Sequence, residues 1–171
     1  MQHVRRNYPL LSTQQIEAVE LAHTRSLSII TGGPGTGKTT LIKALLSSVL
    51  ASNADLRVAL AAPTGKAVAR LERSLDGLSL SPDQVEVKTL HRLLGYGAGR
   101  RPRYDSNRRL ALDLIVIDEA SMIDLNLADA LLQALPDEAQ LILIGDPNQL
   151  PSVNLGRLLA DLAQPLHSGE L

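Results

Sequence analysis

Short aliphatic runs, nearly free of polar residues, alternate along the chain with segments of helical spacing, and this alternation decides the fold class. "LSII" (27–30), "RVALAA" (57–62), "LIVID" (114–118) and "QLILIG" (140–145) are strand-length runs. A strand covered on one face only alternates apolar and polar side chains, so runs like these call for cover on both faces. Between them lie "LSTQQIEAVELAH" (11–23) with Ser12 as a candidate N-cap, a helix from Lys38 to about Leu50, and helices over 67–75, 125–135 and 155–164. "VKTLHRLLG" (87–95) reads as a strand end entering a short helix. Strands and helices in this order make an α/β fold, a parallel sheet with helices on both faces, most simply doubly wound. The length of 171 residues suits one domain, residues 1–171, that buries a core without cross-links.

Composition narrows the function classes. With no cysteine, disulfides and cysteine zinc sites are excluded. No apolar run approaches the roughly 18 residues of a membrane span, and the N-terminus has no signal-peptide core. A soluble, cytoplasmic protein with no membrane contact is the expectation. The net charge of −1 conceals a segregation: residues 1–109 hold 16 Lys and Arg against 8 Asp and Glu, and residues 110–171 hold 1 against 10. Arg100, Arg101, Arg103, Arg108 and Arg109 cluster in "GYGAGRRPRYDSNRR" (95–109), a Gly-, Pro- and Arg-rich stretch that reads as a long exposed loop or small insertion. Such a stretch either attracts a polyanion or is simply solvated.

"GGPGTGKT" (32–39) fits the phosphate-loop pattern, Gly32, four residues, Gly37, Lys38, Thr39, with a strand before it and a helix after. Glycines let backbone N–H groups curl around phosphate oxygens, and the helix N-terminus adds partial positive charge. Gly33, Pro34, Gly35, Thr36, Gly37, Lys38, Thr39 and Thr40 are the candidate nucleotide contacts, with Lys38 reaching the β- and γ-phosphates and Thr39 a Mg²⁺ ligand. "LIVIDEAS" ends a strand in two adjacent carboxylates. Asp118 is a candidate Mg²⁺ ligand, and Glu119 a candidate to polarise the attacking water. A water-activating carboxylate beside the metal ligand favours hydrolysis over transfer to a small-molecule acceptor, and no guanine-reading Asn-Lys-x-Asp element is present.

Thr64, Gly65 and Lys66 in "APTGKAVARL" (62–71) stand at a helix start, where they either cap the helix or bind a phosphate. In "LILIGDPNQL" (141–150), Gly-Asp-Pro is ordinary turn chemistry on its own. Beside the other strand ends, Gln149 becomes a candidate γ-phosphate sensor. Asp146 fixes the turn or meets the water shell of Mg²⁺.

The ordered words "GGPGTGKTT", "APTGKAVARL", "TLHRLLG", "IVIDEASMID" and "LIGDPNQLPSV" resemble those of superfamily 1 DNA helicases, in particular the RecD-like branch that includes the alpha subunits of exodeoxyribonuclease V. The resemblance runs from about residue 11 to 157 and implies a RecA-like P-loop NTPase domain, the first of two motor domains. In such a domain the "LILIG" strand lies between the phosphate-loop strand and the "LIVID" strand. It further implies ATP and Mg²⁺ as cofactors, 5′ to 3′ movement on single-stranded DNA, and RecB and RecC partner subunits in repair of double-strand breaks. Gln15, with Gln14 as its neighbour, falls where the family reads adenine. Thr64, Gly65, Lys66, Thr89, His91 and Arg92 fall in words that line the DNA path. The family's arginines that reach the γ-phosphate belong to the second domain, so the 171-residue chain alone is expected to bind ATP but hydrolyse it weakly. The alternative from a different class is an ATP-responsive DNA-binding module that never hydrolyses, and a third is a small-molecule kinase.

Overall fold

The computed structural model describes residues 2–33, 35–78, 80–97 and 101–146; Pro34, Gln149 and the helix expected over 155–164 lie outside the described residues. The elements in chain order are α1 (Gln2–Asn7), α2 (Thr13–Ala22), β1 (Leu27–Thr31), α3 (Lys38–Ser52), β2 (Val58–Ala62), α4 (Gly65–Ser74), β3 (Val85–Thr89), α5 (Leu90–Leu93), β4 (Leu114–Ile117), a 3₁₀ turn (Ala120–Met122), α6 (Leu125–Ala134) and β5 (Gln140–Gly145). The five strands form one sheet in the order β1-β5-β4-β2-β3, parallel throughout. β5 therefore lies between β1 and β4, as the resemblance implies.

The period of two along each strand splits the core into two layers. Val58, Leu60 and Ala62 of β2, Leu114 and Val116 of β4, and Ile142 and Ile144 of β5 face one layer, packed with Leu41, Ile42, Leu45 and Leu46 of α3 and Val19 of α2. Ala59 and Ala61, Ile115 and Ile117, and Leu141 face the other, packed with Leu90, Leu93, Leu127 and Leu131. Every residue of β2 and of β4 is buried. β1 and β3, at the two edges, are only partly buried, and Leu27 is half exposed. Ile142 is fully buried in the central part of the sheet. Ile142→Ala is expected to cost about 2–5 kcal/mol of unfolding free energy, and Leu10→Ala, at a fully exposed position, less than about 0.5 kcal/mol. Urea denaturation of the two variants checks both values.

Local chemistry sets the helix ends. Ser12 and Gln15 form a reciprocal capping box on α2. Thr64 caps α4, Thr89 caps α5 and Asp124 caps α6 by accepting backbone N–H groups. α1 is an addition to the sequence expectation: its short "QHVRRN" stretch has one apolar anchor, Val4, which is fully buried against α3 and its neighbours. At the opposite edge from the strands' carboxyl ends, Arg57 donates to Asp113 through its backbone N–H and its guanidinium at 2.8, 3.2 and 3.1 Å, tying the start of β2 to the start of β4. The same contact holds the Asp113 carboxyl below its ordinary range.

The described parts of the 95–109 segment are folded onto the second layer. Tyr96 and Tyr104 pack against it, and the backbone N–H groups of Arg103 and Tyr104 donate to the Leu94 carbonyl. Asp105 Oδ1 accepts from the Asn107 and Arg108 N–H groups, closing a tight turn. The guanidinium carbons of Arg103 and Arg108 lie 5.9 and 5.6 Å from the Tyr104 ring centre, and Arg109 pairs with Asp137.

Candidate active site

Parallel strands deliver their carboxyl ends to one edge of the sheet, and the loops leaving that edge converge. Register makes this concrete: Thr31 of β1 is level with Gly145 of β5, Ile117 of β4 with Leu143, and Ala62 of β2 with Thr89 of β3. The next residues are the glycine loop after β1, Asp118 after β4, Asp146 after β5, and the caps of α4 and α5. A cavity of about 360 Å³ opens there, lined by Gly35, Thr36, Gly37, Lys38, Thr39, Arg70, Asp118, Glu119, Gly145 and Asp146.

On one wall is the loop between β1 and α3. Gly35 and Gly37 have φ of +75° and +79°, a left-handed backbone that glycine adopts without steric cost. Unlike α2, α4, α5 and α6, α3 has no side-chain cap, so its first N–H groups remain available to an anion. The Lys38 ammonium donates to the carbonyls of Gly32 and Gly33 at 2.6 and 2.7 Å, and Thr36 Oγ1 donates to the Gly33 carbonyl at 2.8 Å. Lys38 thus folds back over its own loop, with its positive charge in the cavity. Gly33 contributes through this carbonyl, and Thr40 is an exposed residue of the first turn of α3 outside the cavity lining.

Facing the loop are the carboxylates. Asp118 is buried, its N–H donating to the Ala61 carbonyl at 2.9 Å, and its Oδ1 accepts from the Glu119 N–H at 2.9 Å. Glu119 has φ of +55°, the left-handed region that a residue with a side chain rarely adopts. One guanidinium nitrogen of Arg70, Nη2, donates to Glu119 Oε1 at 2.8 Å and to Asp118 Oδ2 at 3.3 Å. Asp146 is buried at the end of β5. A Cβ built on Gly145 would stand 3.2 Å from the Ser121 backbone nitrogen, so β5 and the 3₁₀ turn approach closely.

The donor set fits one kind of metal. Mg²⁺ uses one or two protein oxygens and completes its shell with phosphate and water. Asp118 and Thr39 line the same cavity, and among the described residues no cluster of three or more His, Cys, Asp or Glu is placed to hold a metal. Two oxygen donors, one carboxylate and one hydroxyl, suit an ion that completes its shell with phosphate and water.

Beside the glycine loop a second, larger cavity of about 970 Å³ runs along β1, its lining including Ser12, Gln14, Gln15, Thr31, Thr36 and Lys38. Gln15 is the glutamine tied to the loop: its Nε2 donates to the Thr36 carbonyl at 2.9 Å while its Oε1 accepts from the Ser12 N–H at 2.8 Å. A primary amide offers two donors and two acceptor lone pairs. One of each remains, the pair that the amino and ring-nitrogen edge of adenine requires. Gln14 is exposed, and no such tie to the loop holds it among the described residues.

Thr64 and Thr89 serve as helix caps, so their oxygens accept from Ala67 and Arg92 N–H groups at 3.2 and 3.3 Å. Their hydroxyl hydrogens stay available to an acceptor such as a phosphate oxygen. Gly65, Lys66, His91 and Arg92 are exposed at the same edge. The His91 ring stands edge-on to Tyr96 with centres 5.2 Å apart. Sequence reasoning passed over Arg70, since nothing in "KAVARL" shows that β2 and β4 are neighbours, which is what brings α4 to the carboxylates.

The AAA domain family matches residues 15–155. The RecBCD enzyme subunit RecD of Mycobacterium tuberculosis (strain CDC 1551 / Oshkosh) is 43% identical over 93% of this chain and 30% of its own length. The ATP-dependent RecD2 DNA helicase of Deinococcus radiodurans is 41% identical over 90% of this chain and 20% of its own. Among solved structures, the Pif1 helicase of Candida albicans aligns with a TM-score of 0.60 at 25% identity, over 86% of this chain and 35% of that one. The chain spans less than a third of the RecD-type relatives named here. It belongs to the AAA domain family, and within it to the homologues of RecD-type proteins.

Proposed function

We propose that this chain is the ATP-binding motor domain, the first of two, of a RecD-type helicase that moves 5′ to 3′ on single-stranded DNA. One observation carries the reading: the Lys38 loop and the Asp118–Glu119 pair face each other across one cavity, at the sheet edge where α4 and α5 also begin. In it, Lys38 neutralises the β- and γ-phosphates, and Thr39 and Asp118 hold the Mg²⁺ that enters with ATP. That ion supplies charge neutralisation on the phosphates when bound. Glu119 takes the proton of the attacking water, and Gln149 senses the γ-phosphate. Gln15 reads adenine. The loop from Gly33 to Thr40, Pro34 included, lines the nucleotide.

Thr64, Gly65, Lys66, Thr89, His91 and Arg92 contact the strand, chiefly through phosphate, so recognition is independent of base sequence. RecB- and RecC-type subunits, a part in double-strand break repair and a cytoplasmic location complete the proposal. Its support is that the named relatives are a RecBCD subunit and an ATP-dependent DNA helicase, and that no helix of the described residues is long and apolar enough to cross a membrane.

The test uses the intact protein. Its ATPase rate is expected to rise at least tenfold with single-stranded oligonucleotide, and a duplex with a 5′ tail to be opened. A rate indifferent to oligonucleotide but raised by a nucleoside acceptor would move the assignment to a small-molecule kinase.

A further inference from the structure

Arg70 takes no part in the nucleotide chemistry above, yet its guanidinium is in the nucleotide cavity. The arginine side chain is 55% exposed, and the carboxylates it reaches are nearly enclosed, at 5% for Asp118 and 19% for Glu119. A long side chain thus leans from an open helix face into the cavity, and a single nitrogen serves both acids.

Two things follow from where that nitrogen lies. On Asp118 Oδ2 it competes with any cation for the carboxylate that would hold Mg²⁺. On Glu119 Oε1 it occupies an acceptor site that a water would have to donate into. Glu119 meanwhile holds a left-handed backbone, which a residue with a side chain tolerates only when its surroundings fix it.

The helix carrying Arg70 has a second connection. Its first turn holds Gly65 and Lys66 after the Thr64 cap, the residues assigned to the strand. Arg70 follows Lys66 by four positions, about 6 Å along the axis and on the adjoining face. α4 is anchored beneath by Ala67 and Leu71, both buried in the first layer, so Lys66 and Arg70 keep a fixed spacing on it. The Arg70 side chain, 55% exposed, is the part that a phosphate held at the first turn can draw out of the cavity.

We infer that Arg70 is a brake on nucleotide loading: its guanidinium occupies Asp118 and Glu119 until a strand engaging the first turn of α4 draws it away, so that strand binding frees the metal and water sites. The inference rests on the proposed ATPase reading of the site. Reciprocity follows, because a strand that favours metal–nucleotide binding is itself bound more tightly once that complex is loaded.

The test measures binding of ADP to the intact protein by titration, with and without Mg²⁺ and with and without an oligothymidylate, for wild type, Arg70→Ala and Arg70→Lys. Without oligonucleotide, Arg70→Ala is expected to bind Mg²⁺–ADP about fivefold tighter than wild type, the scale of releasing one partly exposed ion pair. ADP without metal should change less than about twofold, since the guanidinium opposes the cation rather than the phosphates. Oligonucleotide should tighten Mg²⁺–ADP binding in wild type by a similar factor and have little effect in Arg70→Ala. Arg70→Lys, which keeps the charge on a shorter stem without the fork, should fall between them. Basal ATPase should rise in Arg70→Ala, and stimulation by oligonucleotide should shrink.

An alanine variant that binds Mg²⁺–ADP no tighter than wild type, or that responds to oligonucleotide as wild type does, overturns the brake and leaves an ordinary ion pair. Equal loss of basal and stimulated hydrolysis also overturns it, making Arg70 a positioning residue for Glu119. Failure of the ATPase reading itself shows differently, as wild-type protein with no strand-stimulated hydrolysis.

Discussion

Glu119→Gln is expected to bind ATP within a few-fold of wild type and to hydrolyse it about 10²–10⁴-fold more slowly, the contribution of one positioned general base. Glutamine keeps the shape and length of glutamate but cannot accept a proton at neutral pH. The local frame should survive, because the hydrogen bond that links the two acids runs from the Glu119 backbone N–H to Asp118 Oδ1 and does not involve the substituted side chain. Asp118 keeps its own backbone bond to the Ala61 carbonyl. What changes is the charge on the atom paired with Arg70, which concentrates the guanidinium on Asp118. A modest weakening of Mg²⁺-dependent binding would therefore accompany the loss of hydrolysis. Single-turnover hydrolysis in the intact protein, alongside binding of a fluorescent ATP analogue, separates the two. An unchanged single-turnover rate would remove Glu119 from the chemistry. Absence of single-turnover hydrolysis in wild type, with nucleotide-dependent DNA binding intact, would favour the non-hydrolysing module instead.

An element's position in the sheet decides how plainly its residues announce it. β2, β4 and β5 lie inside the sheet, so burial on both faces writes itself into the sequence as "VALAA", "LIVI" and "LILI". β3, at an edge, alternates as "VEVKT" and announces only its end, and it begins two residues before the expected run. The capping box of Ser12 and Gln15 is a local signal and was visible as a cap. α1 was not, because one anchor residue carries no period; only the tertiary contact of Val4 makes it a helix worth forming. Strand order is different in kind. Periodicity says nothing about which strand neighbours which, and β5 between β1 and β4 follows from the resemblance of the ordered motifs.

The site divides along the same line. Gly35, Thr36, Gly37, Lys38 and Thr39 are consecutive, so their convergence is a local property of a loop entering a helix, and the motif shows it. Asp118 and Glu119 meet that loop only because β4 and β1 flank β5. Gln15 reaches the Thr36 carbonyl across 21 residues of chain, a contact that nothing local in "LSTQQIEAV" announces. Arg70 is the extreme case, since its partners are 48 and 49 positions away. Thr64 illustrates a forced choice that the structure dissolves: the cap uses an oxygen lone pair and leaves the hydroxyl hydrogen, so capping and phosphate contact are compatible.

Lys38→Ala is expected to weaken Mg²⁺–ATP binding about 10–100-fold and to reduce hydrolysis at least about 10³-fold. Hydrogen bonds to a charged group contribute about 1.5–3 kcal/mol, which sets the binding loss; a missing charge-stabilising cation in phosphoryl transfer sets the hydrolytic one. The binding loss stays finite because the uncapped N-terminus of α3 and the loop N–H groups still favour an anion. The variant also loses the ammonium's bonds to the Gly32 and Gly33 carbonyls, so part of the cost is a less organised loop. Lys38→Arg separates these causes. Its fork can still bond carbonyls and keeps the charge, but its planar geometry differs from a compact ammonium among phosphates. Recovery of binding without recovery of hydrolysis would place the main role of Lys38 in the transition state. The urea midpoint should move little in either variant, since Lys38 contributes nothing to the two apolar layers. Nucleotide affinity and rate that both survive the alanine substitution in a folded protein would sink the assignment of the site.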